Sequence, residues 1–165
     1  MAKMCKFPHI NVRKATKADA RILSALNVDV QRVHANALPH IFKQPENDAF
    51  ALEYMIERLL EPANHFFIAE VGDEAVGYIF ARIVERPENP FMFACNYVYI
   101  DQIAVRPAFQ KQGIGKQLID EVVALTAENN IGTIALDTWT FNKQALSFFQ
   151  KYGFAPFNER LWRLK

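Results

Sequence analysis

One short segment, residues 110–116, restricts the fold of this chain more than any other stretch. It follows an apolar run at 100–105 and leads into a stretch, 114–125, whose apolar residues recur with helical spacing. A predicted strand, a glycine-containing turn and a helix start are therefore consecutive. Glycines let the backbone curve so that N–H groups point into one concavity, and the first N–H groups of a helix lack internal partners. The segment is typical of a phosphate site, to which Lys111 and Lys116 add positive charge.

Two common phosphate motifs do not fit this segment. The nucleoside triphosphate loop needs Ser or Thr after Gly-Lys, and here Gln117 follows Gly115-Lys116. The dinucleotide fingerprint needs a third glycine where this chain has Leu118, and it belongs after the first strand of a βαβ unit. The remaining pattern is Gln/Arg-x-x-Gly-x-Gly/Ala, directly after a strand that ends in valine.

A second pattern follows the predicted helix. Gly132 is placed to cap that helix, and residues 133–139 are predicted to form a strand. Asn142 then precedes another predicted helix, after which the chain turns at Gly153-Phe154. The two patterns in this order resemble the GCN5-related N-acetyltransferase (GNAT) superfamily, which binds acetyl-coenzyme A.

This resemblance is close over about residues 96–156 and architectural elsewhere. It implies a single α/β domain, 1–165, with the element order β-α-α-β-β-β-α-β-α-β and the last strand or strands within 154–164. The implied sheet is split where two parallel strands, 97–105 and 133–138, splay apart and admit the coenzyme's pantetheine arm. The edge strands and the aromatic tail also suggest a homodimer.

The resemblance further assigns the coenzyme contacts. The backbone at Ile103 and Val105 would pair with pantetheine, and an N–H near Ile103 or Ala104 would polarise the thioester carbonyl. Asn142 would hydrogen-bond the coenzyme arm, cap the last helix, or do both. The expected coenzyme-binding residues are Ile103, Ala104, Val105, Gln110, Lys111, Gln112, Gly113, Ile114, Gly115, Lys116, Asn142 and Phe149.

At the position of the general acid, this sequence departs from the family's pattern. The family often places a tyrosine in the frame Ala-x-x-x-Tyr-x-x-x-Gly-Phe, and alignment on Ala145 and Gly153 puts Phe149 at that position. Phenylalanine has no proton to give. Tyr152, nearly one helical turn further on, is the remaining acid candidate and is otherwise a packing residue. A coenzyme thiolate can also leave without a side-chain acid, because water can protonate it.

Two carboxylates are candidate bases. Asp137 lies on the strand beside the expected acetyl site, at a position where some relatives carry an acidic residue. Asp101 precedes Ile103 by two residues, so we expect both on the same face of the strand. Each is otherwise a hydrogen-bonded structural carboxylate.

The acceptor is less defined. In this fold the loop between the first two helices and the loop near 86–95 would wall its site, which nominates Val33, His34, Phe42, Phe91 and Phe93, or else these residues only pack. A small-molecule amine and a peptide or protein amine both remain open, as does a longer acyl group. A non-catalytic acyl-coenzyme A sensor or interaction module is the alternative function.

Composition narrows the partners. Nineteen basic and 18 acidic residues give no basic excess for nucleic acid. The apolar stretches are too short for a bilayer, and the N-terminus lacks the apolar core of a signal peptide. Cys5 and Cys95 are expected to be free thiols, in keeping with a cytoplasmic protein. The histidines are scattered and there is no Cys-x-x-Cys, so no metal is expected.

Overall fold

One sheet of five strands in the order β1-β2-β3-β4-β5 organises the chain in this computed structural model, which describes residues 9–163. Neighbouring strands are antiparallel except β4 and β5, which are parallel. The strands are β1 (Ile10–Lys14), β2 (Asn64–Val71), β3 (Glu74–Arg86), β4 (Cys95–Val105) and β5 (Ile134–Leu136). The helices are α1 (Ala20–Ala37), α2 (Leu52–Leu60), α3 (Ile114–Glu128) and α4 (Lys143–Lys151).

Helices cover both faces of the sheet, so the core has two parts. On one face α3 and α4 bury apolar residues against the strands, including Ile114, Leu118 and Phe149. On the other face α1 and α2 do the same through Leu23 and Met55. Burying each such side chain stabilises the fold by about 1.5–3 kcal/mol before the loss of chain entropy is counted. The mixed α/β class predicted from the sequence is confirmed.

The tail after α4 is where the predicted element order is wrong. Residues 154–163 contain no strand, and Phe157 is 99% exposed. Aromatic residues favour strands only where a neighbouring strand offers a ladder and a surface to pack on, and β5 has three residues. Cys5 and Leu164 lie outside the described residues, and the homodimer and the single-domain extent remain predictions.

A β-bulge in β4 changes which side chains share a face. Phe80 pairs with Gln102 and Ala81 with Ile100, so Asp101 is the extra residue of β4. Ile100 and Ile103 therefore pack in the same core beneath α3, and Asp101 lies on the opposite face, towards α1. The prediction that Asp101 and Ile103 share a face is wrong, because the extra residue reverses the strand's alternation.

The two parallel strands separate after a short pairing. Only residues 98–100 of β4 pair with residues 134–136 of β5. Beyond this point residues 102–105 of β4 pair with β3 alone, and the edge of 101–105 that faces away from β3 has no strand beside it among the described residues. The predicted splay between 97–105 and 133–138 is present, although β5 itself is shorter than predicted.

Candidate active site

A cleft of about 240 Å³ lies where β4 and β5 diverge. Its walls come from α1, the loop after α1, the bulged part of β4, the segment after β5 and the first turns of α4. The side chains that line the cleft include Asn27, Gln31, His34, Phe42, Asp101, Gln102, Ile103, Asp137, Trp139, Asn142 and Phe149. The predicted base, acceptor and coenzyme residues are thus partly brought together in one place.

The turn between β4 and α3 presents a row of free N–H groups. Lys111 and Gly113 adopt positive φ angles of 62° and 88°. Within the described chain, none of the backbone N–H groups of residues 111–116 donates a hydrogen bond. Successive unpaired N–H groups at a helix start, curved by left-handed residues, form a concavity that attracts anions. The side chain of Gln110 braces this turn by donating to the carbonyl of Val105 at 3.0 Å.

Glycine is favoured at position 115 for a different structural reason than at position 113. A Cβ atom on Gly115 would lie 2.9 Å from Cζ of Phe148, so glycine lets α4 approach the start of α3. A Cβ atom on Gly113 would meet nothing within 4 Å, and there the left-handed φ is what favours glycine. The pattern that identified this segment therefore combines one conformational and one packing requirement.

Asn142 lines the cleft and also caps α4. Its Oδ1 accepts a hydrogen bond from the backbone N–H of Ala145 at 3.1 Å. The cap leaves the Nδ2 donors free, so the two predicted roles of Asn142 are compatible.

The two candidate bases belong to one chain of contacts. Asp101 accepts a hydrogen bond from Nε of Arg82 at 2.6 Å, and this guanidinium lies over the ring of Tyr99, 5.0 Å from its centroid. The Tyr99 hydroxyl in turn donates to Oδ2 of Asp137 at 3.0 Å. Burial, and then the bond to Asp137, raise the pKa of Tyr99 to about 12, so its proton stays in place at neutral pH.

The partners of the two carboxylates differ in charge. Asp101 is paired with a cation, whereas Asp137 is bonded to a neutral hydroxyl and has no cation within ion-pair distance among the described residues. The negative charge at Asp137 is therefore less compensated than the charge at Asp101. Asp137 is better suited to hold an ammonium group and take its proton.

Four aromatic rings form a closed group at the cleft, which we call the aromatic wall: His34, Phe42, Trp139 and Phe141. The centroid separations are 5.0 Å for His34–Phe42, 5.0 Å for Phe42–Trp139, 6.3 Å for Trp139–Phe141 and 5.6 Å for His34–Phe141. The wall joins the end of α1 and the following loop to the segment after β5. Rings at these separations attract one another and exclude water between them.

A buried polar network forms the floor on the α1 side. The Tyr78 hydroxyl donates to Oε1 of Gln102 at 2.6 Å, and Nδ2 of Asn27 donates to the Tyr78 oxygen at 2.6 Å. Burial raises the pKa of Tyr78 far above its usual value, so it stays neutral. These bonds fix the bulge of β4 against α1.

Several nominated residues lie elsewhere. Tyr152 packs on Phe148, with ring centroids 4.9 Å apart, and does not line the cleft, whereas Phe149 does. Phe91 and Phe93 are 93% and 86% exposed in the loop between β3 and β4 and do not line it either. Val33 is half exposed on α1, outside the lining residues.

Sequence reasoning missed several residues that the fold brings to the cleft or beside it: Asn27, Gln31, Arg82, Tyr99, Gln102, Trp139 and Phe141. A signal was present for two of them, because Trp139 and Phe141 follow a predicted strand whose carboxyl end faces the expected site. The contact of Arg82 with Tyr99 depends on the cross-strand register, which a single sequence does not define.

The described residues supply no metal site to the cleft. Residues 9–163 contain no group of three or more His, Cys, Asp or Glu side chains placed to hold a metal ion. Cys95 is a free thiol. None of the described helices is both long and apolar enough to span a bilayer.

Comparison with known proteins places this geometry in context. Residues 28–154 match the family described as Acetyltransferase (GNAT) family. An N-alpha-acetyltransferase of Sulfurisphaera tokodaii is 31% identical over 115 residues, which are 67% of this chain and 66% of that protein. N-alpha-acetyltransferase 30 of Xenopus laevis is 30% identical over 97 residues, or 59% of this chain and 33% of that protein. The chain thus spans a third or less of the vertebrate N-alpha-acetyltransferase 30 proteins that it matches.

Solved structures share the fold at lower identity. A tetramutant of the BH1408 protein from Bacillus halodurans superposes with a TM-score of 0.89 at 19% identity, covering 94% of this chain and 99% of that one. The aminoglycoside N-acetyltransferase AAC(6')-Iy, solved in complex with CoA, gives a TM-score of 0.75 at 23% identity over 96% of this chain and 95% of that one.

Proposed function

The chain belongs to the acetyltransferase (GNAT) family, and we propose that it moves an acetyl group from acetyl-CoA to a primary amine by direct attack in a ternary complex. The observation that carries this proposal is the geometry after residue 100. The open edge of β4 and the uncompensated carboxylate of Asp137 line one cleft, and the row of free N–H groups at 111–116 follows directly after that strand.

The donor side of the cleft fits coenzyme A. The open edge of β4, at residues 101–105, offers backbone groups to the amides of the pantetheine arm. The N–H groups of 111–116 offer donors to a pyrophosphate. Asn142 has free amide donors beside this edge. The relative AAC(6')-Iy, which shares the fold, was solved with CoA. Acetyl-CoA would supply the acetyl group as a thioester.

On the acceptor side Asp137 would bind the ammonium form of the amine and take one proton, directly or through water. The neutral amine nitrogen then forms a bond to the acetyl carbonyl carbon and gives its second proton to water, and the carbon–sulfur bond breaks to release the thiolate. Because Phe149 carries no proton and Tyr152 is outside the cleft, water would protonate the thiolate. Its pKa near that of a free thiol, about 8.5, makes it a tolerable leaving group without an acid.

Asp101 would have a supporting role. Its charge is offset by Arg82 at 2.6 Å. It holds Arg82 over the ring of Tyr99, which in turn orients Asp137. The proposed roles are therefore general base for Asp137 and positioning residue for Asp101.

Two measurements test this proposal. Calorimetry with acetyl-CoA measures the donor site, and thiol release against a panel of amines and peptides measures transfer. We expect binding together with thiol release that requires an amine. Failure to bind acetyl-CoA would contradict the proposal at its first step.

The alternative is a non-catalytic acyl-CoA sensor, which the phenylalanine at position 149 favours. Phe149 is 6% exposed and lines the cleft at the position where the family often has its acid. In that case acetyl-CoA binds, but no amine or peptide in the panel produces thiol release.

A further inference from the structure

The acceptor end of the cleft offers hydrogen-bond acceptors and apolar rings. No lysine or arginine is among the described residues that line it, while Asp101 and Asp137 are. The carbonyl of Val30 lies 2.7 Å from Nδ1 of His34. Because a carbonyl only accepts, Nδ1 carries the proton in the tautomer that makes this bond, and that tautomer has its acceptor at Nε2. The cleft therefore suits a group rich in N–H donors.

A second free acceptor comes from α1. Gln31 uses its amide nitrogen to donate to the carbonyl of Lys43 at 2.7 Å, which leaves its oxygen unused. A carboxylate on the acceptor molecule would find no free cation in the described lining, because Arg82 is already paired with Asp101, and it would lie near the less compensated charge of Asp137. Free amino acids, whose carboxylate sits one carbon from the amine, are thus poorly matched to this site.

The aromatic wall sets the other half of the specificity. Its rings already pack against one another at 5.0–6.3 Å, so a ligand lies against the face of the wall and not between its rings. Three members of the wall line the cleft, His34, Phe42 and Trp139, and Phe42 packs against both of the others. An apolar or aromatic group attached to the amine would cover them and stack against their rings.

The volume of the cleft also favours an acceptor with a single ring. Its volume of about 240 Å³ is below the roughly 300 Å³ at which cavities begin to enclose drug-sized ligands. The same space must also hold the acetyl group. One ammonium group with one ring fits, whereas a molecule of several sugar rings would lie mostly outside.

We propose that the acceptor is a primary amine on a short link to an aromatic or apolar group, with a single positive charge and without a neighbouring carboxylate. This inference rests on the proposed function. Two sources share this chemistry: a free arylalkylamine, and the N-terminus of a peptide whose first side chain is apolar, where the carboxyl group has become an amide.

The test compares kcat/KM with saturating acetyl-CoA for probes that differ in one feature. Phenethylamine against ethylamine tests the ring, and phenylalaninamide against free phenylalanine tests the carboxylate. We expect each first member to exceed the second by about tenfold or more. 1,4-Diaminobutane tests the second charge and is expected to be poor, because Asp101 is already paired with Arg82 and only Asp137 remains for an ammonium group. Phenethylamine against a peptide that begins with phenylalanine then separates the two sources.

Two variants connect the preference to the wall. In Trp139→Ala and Phe42→Ala the phenethylamine-to-ethylamine ratio is expected to fall about tenfold. A general structural defect would instead lower both rates together, and calorimetry with acetyl-CoA checks that the donor site is intact. Phe157→Ala is the matched control, because this aromatic residue is 99% exposed and outside the cleft; its ratio is expected to match the parent.

The outcomes separate the two proposals. Thiol release with equal rates for phenethylamine and ethylamine would overturn the acceptor class and leave the acetyltransferase proposal standing. If no amine is acetylated, the proposed function fails. Calorimetry of phenethylamine and ethylamine on the CoA-loaded protein then tests the acceptor class alone, and equal or absent binding overturns it.

Discussion

The hydroxyl of Tyr99 donates a hydrogen bond to Oδ2 of Asp137 at 3.0 Å, across the only stretch where β4 and β5 pair. This bond holds Oδ2 of the carboxylate, and Oδ1 has no hydrogen-bond partner among the described residues. Because Tyr99 keeps its proton up to a pKa of about 12, the bond persists at every pH at which the enzyme would work. Tyr99 therefore acts as a positioning residue for the proposed base.

Replacing Tyr99 with Phe removes this hydrogen bond and keeps the ring beneath Arg82. We expect kcat for an amine to fall about fivefold, the equivalent of one hydrogen bond of roughly 1 kcal/mol. The KM for acetyl-CoA should not change. Steady-state kinetics with each substrate varied in turn measures the two effects.

Tyr97→Phe is the matched control, since Tyr97 is on the same strand and its hydroxyl has no hydrogen-bond partner among the described residues. It should retain the parent kcat. Equal losses of kcat in the two variants would mean that Tyr99 supports the strand and not Asp137.

Asp137→Asn tests the base itself. An amide cannot take a proton, so kcat/KM for the amine should fall about 100-fold at neutral pH, within the range for general base catalysis. The deficit should shrink at high pH, because the amine then loses its proton to solvent without help. Rate profiles of parent and variant between neutral and high pH measure this, and parallel profiles would exclude Asp137 as the base.

Asp101→Asn separates the two carboxylates. Its charge is already offset by Arg82, so we expect a smaller loss, about tenfold, and a deficit that does not depend on pH. A pH-dependent deficit in Asp101→Asn, together with a constant one in Asp137→Asn, would reverse the assigned roles. The same kinetic series measures both variants.

Much of the proposed coenzyme half of the site could be predicted from the sequence, because the patterns that indicate it are local. The turn at 110–116 and the cap at Asn142 each depend on residues a few positions apart, and both form as predicted. The acceptor half was not readable in the same way. The bulge at Asp101 arises from the pairing of β4 with β3, and it decides which face each carboxylate occupies. The aromatic wall likewise joins two loops about 100 residues apart.

Gly113→Ala tests the turn as a phosphate site. Gly113 has φ 88°, where a Cβ atom costs about 1–2 kcal/mol, so the turn should shift to a conformation that aims fewer N–H groups at one point. We expect the Kd for CoA to rise about tenfold. The Kd for pantetheine, which lacks the pyrophosphate, should not change. Calorimetry with both ligands measures this.

Gly132→Ala is the control for glycine replacement, because Gly132 lacks a positive φ and its added Cβ would meet nothing within 4 Å. It should bind CoA as the parent does. If Gly113→Ala weakened pantetheine and CoA equally, the turn would support the open strand edge and not a pyrophosphate.

Acid stability should depend on an ion pair far from the cleft. The guanidinium of Arg13 donates to both oxygens of Asp19, at 3.0 and 2.9 Å, and Asp19 also accepts from the backbone N–H of Thr16 at 2.7 Å. Foremost the bond to Arg13, and then those to Thr16, lower the pKa of Asp19 to about 2, although its burial opposes this. The contacts tie β1 to the start of α1.

A carboxyl group with a lowered pKa in the folded state stabilises the fold above its unfolded pKa and loses that stability as the pH falls through the folded value. For Asp19 the window runs from pH 4 down to about 2, and the contribution lost is about 2 kcal/mol. Urea unfolding at a series of pH values in this window should show the loss in the parent and a flatter dependence in Asp19→Asn. Asp48→Asn is the matched control, since Asp48 is exposed and has no ion pair in the described structure. If Asp48→Asn flattened the curve as much as Asp19→Asn, the acid sensitivity would reflect net charge, and the Arg13 pair would not be its source.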